Sequence, residues 1–200
     1  MKKRMLSLLL CGAMCAGLLS GCGNASSAEV LNVYNWGEYI DTDLIDRFEE
    51  ETGIKVIYNT FDSNENLYSR IQTTSYDVII PSDYMISKMI KEGMIQKLDF
   101  DNIPNFSYIM PTFVDPAYDP DNAYSVPYTW GTVGLIYNTA MIDIPKEDID
   151  WDILWNEDYA DQILMFDNPR DAFAISEIMM GYSINTEDPV ELTAAANKLK

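Results

Sequence analysis

The chain has 200 residues, with 13 Lys and Arg against 32 Asp and Glu, a formal net charge of −19 and no histidine. This surplus of acids argues against nucleic acid as a partner, because nucleic acids are bound through Lys and Arg. The absence of histidine excludes Ser-His-Asp and Cys-His catalytic sites built from this chain. An acidic surface concentrates cations near it, although acidity that serves only solubility is an equally good explanation.

The first 29 residues have the features of an export signal. Three basic residues at 2–4 precede the apolar run Met5 to Leu19, and the tetrapeptide LSGC at 19–22 follows. The run is too short for a membrane-spanning helix but suits a secretory signal with a small-residue cleavage site. LSGC resembles the lipobox of bacterial lipoproteins, which predicts a signal peptide at 1–21, a lipidated Cys22 and a tether at 22–29. The alternative is an ordinary signal peptide with a chance cysteine.

Cleavage before Cys22 changes what the mature domain contains. It removes three cations and no acid, which leaves 10 Lys and Arg against 32 Asp and Glu, a balance of −22. It also removes Cys11 and Cys15. With Cys22 acylated, the mature domain has no thiol for a disulfide, a nucleophile or a zinc site. No metal-ligand set is evident, and no cofactor is expected.

From residue 30 to 93, short apolar runs alternate with amphipathic stretches. A strand is predicted at LNVYN, followed by a helix with apolar residues at helical spacing that ends at Gly53. The next elements are a strand at IKVIYNT, a helix opened by Ser63, a strand at YDVIIP and a helix at DYMISKMIKEG. This β-α-β-α-β-α order predicts an α/β fold with a parallel sheet and right-handed crossovers.

The pattern changes at about residue 99. Residues 99–123 are rich in Asn, Asp and Pro and predict a surface excursion, and YSVPYTWGTVGLIYN then suits an extended segment passing between two lobes. A short helix near 151–155, a strand ILMFD at 163–167, a helix from Pro169 to about Tyr182 and a helix opened near Asp188 follow. The predicted lobes are 30–135 and 136–200, and the second is incomplete.

Candidate binding residues follow three of the predicted strands. Ligands of open α/β sheets bind outside the carboxyl ends of the strands. Aromatic rings, hydroxyls and acids gather there, and Arg170 is the cation nearest to them in sequence. Aromatic faces attract ammonium groups, and a buried carboxylate needs a positive partner, so these clusters predict a cationic ligand. The residues are Trp36, Glu38 and Tyr39; Ser82, Asp83 and Tyr84; Asn168 and Asp171.

Each cluster also has a purely structural interpretation. Trp36 and Tyr39 could pack inside a lobe, because aromatic residues at strand ends are common in cores. Asp83 suits a helix N-cap. Asn168 followed by Pro169, with an acid at the third helical position, has the form of a capped helix start.

Several motifs resemble the spermidine/putrescine-binding proteins of bacterial ABC importers, from about Leu31 to Lys200. They are YNWGEYI, ETGIKVIY, SNENLY, YDVIIPSDYMISKMIKEGMIQKLD, NFSYI, YSVPYTWG and the stretch 155–171. The resemblance implies a two-lobe periplasmic-binding-protein fold of type II, with parallel sheets and crossing strands, that holds a polyamine between its lobes. The family continues well past residue 200, and its later half supplies further rings, another acid and more strands.

The resemblance also implies roles for individual residues. Trp36 and Tyr39 become walls of an aromatic box, Glu38 a nearby acid, and Ser82 and Tyr84 further contacts. Asp171 becomes an amine-binding acid, although a Glu stands there in the relative considered. Asn168 stands where that relative has an Asp. These two differences leave the preferred polyamine open.

The sequence therefore predicts an extracytoplasmic, lipid-anchored receptor that captures putrescine or spermidine and delivers it to an ABC permease without catalysis. One alternative is a receptor for another organic cation or small solute on the same fold. The other is an extracellular hydrolase that uses Glu38 and Asp171 as acid and base. No nucleophile is positioned for the hydrolase, and both acids lie where the family binds amines.

Overall fold

The computed structural model describes residues 29–165 and 167–200. The predicted signal peptide, Cys22 and the tether up to residue 28 lie outside the described residues. Within the described part of the chain, no helix is long and apolar enough to span a membrane. The chain forms two compact units. The first unit contains the described residues up to Asn59 together with Ser75–Ile79, and the second contains Thr60–Thr74 and Ile80–Lys200. The lobe boundary predicted at 135/136 stays a prediction.

A three-stranded sheet in the order β2-β1-β3 is made of β1 (Val30–Trp36), β2 (Lys55–Phe61) and β3 (Val78–Ile79), and all of it except the last two residues of β2 belongs to the first unit. β1 and β3 are parallel and pair Val33 with Val78 and Tyr34 with Ile79. This pairing confirms the parallel sheet predicted from the alternating pattern, in which a crossover connection joins parallel neighbours.

Polar contacts fix the ends of these strands. The Asp77 carboxylate accepts hydrogen bonds from the backbone N–H of Asn32 at 2.7 Å and from its side-chain amide at 3.0 Å. The backbone bond from Asn32 is the larger cause of the lowered pKa of Asp77. Next to this contact, the ring of Tyr34 stacks on Tyr76 with centroids 4.5 Å apart. Tyr34 is buried, so the sheet is anchored by both a carboxylate and an aromatic pair.

Helix α1 (Asp43–Thr52) ends at Gly53, as predicted. Gly53 has φ of 73°, in the left-handed region that favours glycine, and its N–H donates to the Glu49 carbonyl at 2.9 Å. The Glu49 carboxylate contacts the Lys55 ammonium at 2.7 Å and accepts from the Val56 N–H at 2.8 Å. The end of α1 is thus tied to the start of β2.

The second unit begins with helices α2 (Asn64–Ile71) and α3 (Asp83–Lys91). Ser63 caps α2 as predicted, since its hydroxyl oxygen accepts from the Asn66 N–H at 3.2 Å. The prediction that Asp83 is an N-cap is wrong, because Asp83 is the first helical residue and Ser82 occupies the cap position. Leu67 of α2 and Met89 of α3 are fully buried and contribute to the apolar core.

Residues 99–123 form short 3-10 turns rather than sustained elements, in agreement with the predicted excursion. They are Phe100–Asn102, Pro104–Tyr108, Pro111–Phe113 and Pro120–Asn122. The excursion nevertheless has a polar centre, since Asp119 and Asn122 are almost fully buried. The Asp119 carboxylate accepts from the Ser125 hydroxyl at 2.6 Å and from the Tyr124 N–H at 3.1 Å. These bonds compensate for burial of the charge.

The strand predicted at 163–167 is wrong, because residues 163–165 and 167 are not in a strand. The segment predicted to be extended, 124–138, likewise contains no residue in a strand. A strand needs a hydrogen-bonded neighbour, and the described part of the chain provides none for either segment. Both segments have apolar residues typical of a strand, but neither pairs with another strand among the described residues.

The chain ends in two helices, α4 (Pro169–Met180) and α5 (Pro189–Lys198). Asn168 caps α4 and Asp188 caps α5, both as predicted. The short helix predicted near 151–155 is present as the 3-10 helix Trp151–Trp155. The Trp155 indole N–H donates to the Lys198 carbonyl at 2.7 Å and so joins this helix to the end of α5.

Candidate functional site

The first predicted cluster lies at the end of β1, in the first unit. The rings of Trp36 and Tyr39 are tilted by 34° with centroids 5.9 Å apart. Tyr39 is 45% exposed, and Glu38 between them is also exposed. Trp36 is half-buried, so neither ring lies fully inside a core, which weakens the purely structural interpretation of the two aromatic residues.

Ser82, in the second unit, is held by a residue that the sequence analysis did not single out. The Asn64 side chain donates to the Ser82 hydroxyl oxygen at 3.0 Å and accepts from the Ser82 N–H at 2.9 Å. Asn64 is 1% exposed. A buried amide that makes both bonds fixes the start of α3 and the direction of the Ser82 hydroxyl. Its position directly after the Ser63 cap was the sequence signal that could have identified it.

Tyr84 lies in the first turn of α3 and contacts charges of both signs. Its hydroxyl donates to the Glu65 carboxylate at 3.3 Å. The Arg170 guanidinium carbon lies 4.5 Å from the centre of its ring. Burial, with the charge of Glu65 as the next cause, raises the pKa of Tyr84 to about 12. The phenol therefore stays protonated at neutral pH and acts as a donor to Glu65.

Asn168 and Asp171 lie at the start of α4. The Asn168 side-chain oxygen accepts from the Arg170 N–H at 3.1 Å, which confirms its role as a helix cap. Asp171 lies in the first turn of the helix and is half-buried. Burial raises the pKa of the Asp171 carboxyl, because a carboxylate that loses water is less stable unless a cation replaces that water. Asp171 is thus suited to binding a positively charged group.

The second unit has a polar cavity of about 750 Å³ that brings four of the predicted contacts together. They are Ser82, Tyr84, Asn168 and Asp171, and its other charged lining residues are Asp83, Lys88, Lys91, Glu92, Arg170 and Glu187. The sequence analysis did not predict that Lys88 and Lys91 would line this cavity. Lys88 is already paired with Glu92 at 2.5 Å. The cavity combines acids, hydroxyls and the aromatic rings of Tyr84 and Tyr118, the groups that bind an ammonium.

A further cavity of about 430 Å³, also in the second unit, has a different character. Its lining is mainly aliphatic and aromatic and includes Val133, Leu135, Ile142, Trp151 and Ile163. Within residues 29–165 and 167–200, no Lys, Arg, Asp or Glu lines it. A charged ligand would lose its hydration there without compensation, so the polar cavity is the candidate site.

Comparison with known proteins agrees with this chemistry. Residues 43–200 match the family described as bacterial extracellular solute-binding protein. The chain belongs to this family. It is 42% identical over 203 aligned residues to the spermidine/putrescine-binding periplasmic protein of Salmonella typhimurium, which covers all of this chain and 58% of that relative. The resemblance proposed from the motifs is thereby confirmed.

Two solved structures extend the comparison to the fold. The spermidine/putrescine ABC transporter substrate-binding protein PotD from Streptococcus pneumoniae is 44% identical, with a TM-score of 0.66, over 85% of this chain and 53% of its own. The TpPotD lipoprotein of Treponema pallidum is 31% identical, with a TM-score of 0.76, over 84% of this chain and 53% of its own. These neighbours confirm the predicted α/β binding-protein fold, of which the chain spans about half.

Proposed function

We propose that the protein is an extracytoplasmic receptor that captures putrescine or spermidine and delivers it to an ABC permease. The observation that carries this proposal is the cavity in which half-buried Asp171 faces the same space as Tyr84 and Ser82. Burial removes water from the Asp171 carboxylate, and a protonated amine bound beside it compensates for that loss. The names of the relatives support the same ligand class, since the Salmonella relative is named for spermidine and putrescine.

The proposed ligand contacts are Trp36, Glu38, Tyr39, Ser82, Tyr84, Asn168 and Asp171. In the second unit, Asp171 accepts hydrogen bonds from a terminal ammonium, and Asn168 offers a neutral acceptor beside it. In the first unit, the exposed ring of Tyr39 and the half-buried ring of Trp36 supply faces for a cation. Glu38 adds negative charge near those rings.

The decisive experiment compares two acid-to-amide substitutions in protein expressed from the complete reading frame. Asp171→Asn removes the charge from the cavity, whereas Asp152→Asn removes an exposed acid that does not line it. Loss of a charge-assisted hydrogen bond should weaken putrescine and spermidine binding about tenfold or more. Calorimetry should show this loss for Asp171→Asn alone. Equal affinities for both variants and the unaltered protein would contradict the proposed site.

We also propose that Cys22 carries the membrane anchor. The tetrapeptide LSGC supports this, and the Treponema neighbour is itself named a lipoprotein. Cys22→Ala should block both processing by the lipoprotein signal peptidase and incorporation of labelled palmitate. Acylation that persists in this variant would rule out the anchor. Cys15→Ala, a substitution inside the predicted signal peptide, is the control and should leave the label unchanged.

Two other functions remain distinguishable by experiment. A receptor for another organic cation would bind that cation and neither polyamine. A hydrolase using Glu38 and Asp171 would turn over glycosides or esters, and such turnover by purified protein would overturn the receptor proposal. The relatives described above are named as binding proteins or transport components, which favours the receptor.

A further inference from the structure

The Ser82 hydroxyl does not perform the task that is usual for a serine at the start of a helix. Serine at an N-cap normally accepts a hydrogen bond from an N–H of the first helical turn. Ser82 occupies the cap position of α3, yet among the described residues its side chain caps no N–H of that helix. The Tyr84 N–H instead donates to the Asp83 carboxylate at 2.6 Å. The Ser82 hydroxyl is therefore available for another task.

Asn64 of α2 holds this hydroxyl through an amide whose orientation is fixed. The Ser82 N–H can only donate, so the oxygen of the Asn64 amide faces it, at 2.9 Å. The amide N–H of Asn64 is thereby directed to the Ser82 hydroxyl oxygen, at 3.0 Å. It occupies one of the two lone pairs of that oxygen. The other lone pair stays open, and Ser82 lines the polar cavity.

Glu65, the next residue of α2, acts on another hydroxyl of the cavity. The Tyr84 hydroxyl oxygen lies 3.3 Å from the Glu65 carboxylate, which accepts its proton. A phenol that donates to a carboxylate keeps its own lone pairs for other donors, and the donation makes its oxygen a better acceptor. A protonated amine has donors only. Ser82 and Tyr84 thus both offer the lone pairs that an ammonium needs.

We propose that Asn64 and Glu65 are positioning residues of the amine site. Asn64 keeps the Ser82 hydroxyl from capping α3, and Glu65 takes the proton of the Tyr84 phenol. Within the described chain, neither Asn64 nor Glu65 lines the polar cavity, so each acts through the hydroxyl that it holds. This inference rests on the proposed polyamine function and deepens it, because it states what prepares two of the ligand contacts.

Substitutions at Asn64, in protein expressed from the complete reading frame, test the first contact. Asn64→Leu fills the site without hydrogen bonds, so the Ser82 hydroxyl can turn back to cap α3. We expect putrescine and spermidine, titrated by calorimetry, to bind about fivefold more weakly. Asn64→Asp accepts from both the N–H and the hydroxyl of Ser82 and should restore at least the unaltered affinity. Ser69→Ala, at an exposed position of α2, is the control and should leave both affinities unchanged.

A double-mutant cycle separates this role from a merely structural one. In a Ser82→Ala background, Asn64→Leu should weaken amine binding by less than about twofold, because no hydroxyl remains to be oriented. Thermal unfolding reports the stability of each variant. A loss of affinity of the same size in both backgrounds would overturn the role of Asn64.

Glu65 is exposed, so its variants should fold whatever happens to those of the buried Asn64. Glu65→Ala removes the acceptor and lets the phenol proton of Tyr84 turn towards the ligand, which should weaken binding of both amines about threefold. Glu65→Gln keeps an acceptor oxygen without the charge and should restore most of the affinity.

The phenolate absorbance of Tyr84 gives a second readout for Glu65. Burial, with the charge of Glu65 as the next cause, raises the pKa of Tyr84 to about 12. Both Glu65 variants should therefore lower this pKa. In a Tyr84→Phe background, Glu65→Ala should no longer change the affinity for either amine, because the hydroxyl on which it acts is absent.

The outcomes distinguish this inference from the proposed function. If the unaltered protein binds neither amine, both are overturned. If it binds them and neither Asn64→Leu nor Glu65→Ala changes the affinities, only the positioning roles are overturned. An unchanged pKa of Tyr84 in both Glu65 variants overturns the role of Glu65. Weaker binding in Asn64→Leu and Glu65→Ala, restored in Asn64→Asp and Glu65→Gln, supports the inference.

Discussion

The Ser176 hydroxyl donates a hydrogen bond to the Ala195 carbonyl at 3.0 Å, with both residues fully buried. Ser176 lies in α4 and Ala195 in α5, so a polar bond joins the two helices inside their apolar contact. The small side chains at both positions allow the helices to approach closely. Because α4 also carries Asn168 and Asp171 at its start, this contact helps to position one side of the candidate site.

Replacing Ser176 by Ala tests the strength of that contact. The substitution removes the donor and leaves a buried carbonyl with one partner fewer, although the Leu199 N–H still donates to it at 3.2 Å. We expect a loss of about 1 kcal/mol in the free energy of unfolding, measured by urea denaturation. Ser69→Ala, at an exposed position of α2, is the matched control and should cost nothing. Equal stability of the two variants would show that the bond contributes nothing.

Local features of the sequence were predicted well because they depend on residues a few positions apart. Ser63, Asn168 and Asp188 cap their helices through bonds to an N–H two or three residues away. Gly53 ends α1 because only glycine adopts its backbone conformation at low cost. In such cases the neighbouring residues contain all the chemistry that the structure uses.

Features that depend on distant partners were predicted less well. The apolar run at 163–165 has the composition of a strand but lacks a hydrogen-bonded neighbour within the described residues. Lys88 and Lys91 line the cavity because of the face that α3 presents there, which the order of residues along the chain does not reveal. The contact of Arg170 with Tyr84 joins residues 86 positions apart in the sequence.

The pKa of Tyr84 predicts a change of stability at alkaline pH. The phenol titrates at about 12 in the folded chain and at 10.0 when unperturbed. As the pH rises through this interval, the unfolded chain releases a proton that the folded chain retains, so the folded state loses stability. Tyr84→Phe lacks this proton and should lose less. Partial exposure limits the difference to a fraction of the roughly 2.7 kcal/mol that two pKa units represent.

Urea unfolding of the unaltered protein and Tyr84→Phe, at a pH below and a pH above this interval, measures the difference directly. The other tyrosines titrate equally in both proteins and cancel. The phenolate absorbance of the unaltered protein should also contain a late step that Tyr84→Phe lacks. An identical pH dependence of stability in the two proteins would show that Tyr84 titrates normally.

The rings of the first unit predict a loss of affinity on truncation. A cation–π contact in a water-poor site contributes about 1 to 2 kcal/mol, so Trp36→Ala or Tyr39→Ala should weaken polyamine binding roughly tenfold. Calorimetry with protein expressed from the complete reading frame measures this. Tyr39→Phe keeps the face of this 45% exposed ring and is the control. Native affinity in a folded Trp36→Ala protein would assign that ring a structural role.

Asn168 has two roles that a single substitution separates. Its side-chain oxygen caps α4, and the same side chain lines the polar cavity. Aspartate caps a helix as well as asparagine does, so Asn168→Asp should leave the stability unchanged or slightly raised. It also adds a negative charge beside Asp171. A ligand ammonium then gains a charge-assisted hydrogen bond, which is about twice as strong as the neutral form.

We therefore expect Asn168→Asp to tighten putrescine and spermidine binding severalfold at low salt, with a smaller gain at high salt because part of the gain is Coulombic. Asn168→Ala is the counterpart, since it removes both the cap and the acceptor and should cost about 1 kcal/mol in stability. Calorimetry at two salt concentrations, together with thermal unfolding of each variant, completes the test. If Asn168→Asp changes neither affinity while Asn168→Ala lowers stability, Asn168 is a helix cap alone. The amine-binding chemistry at the start of α4 then belongs to Asp171.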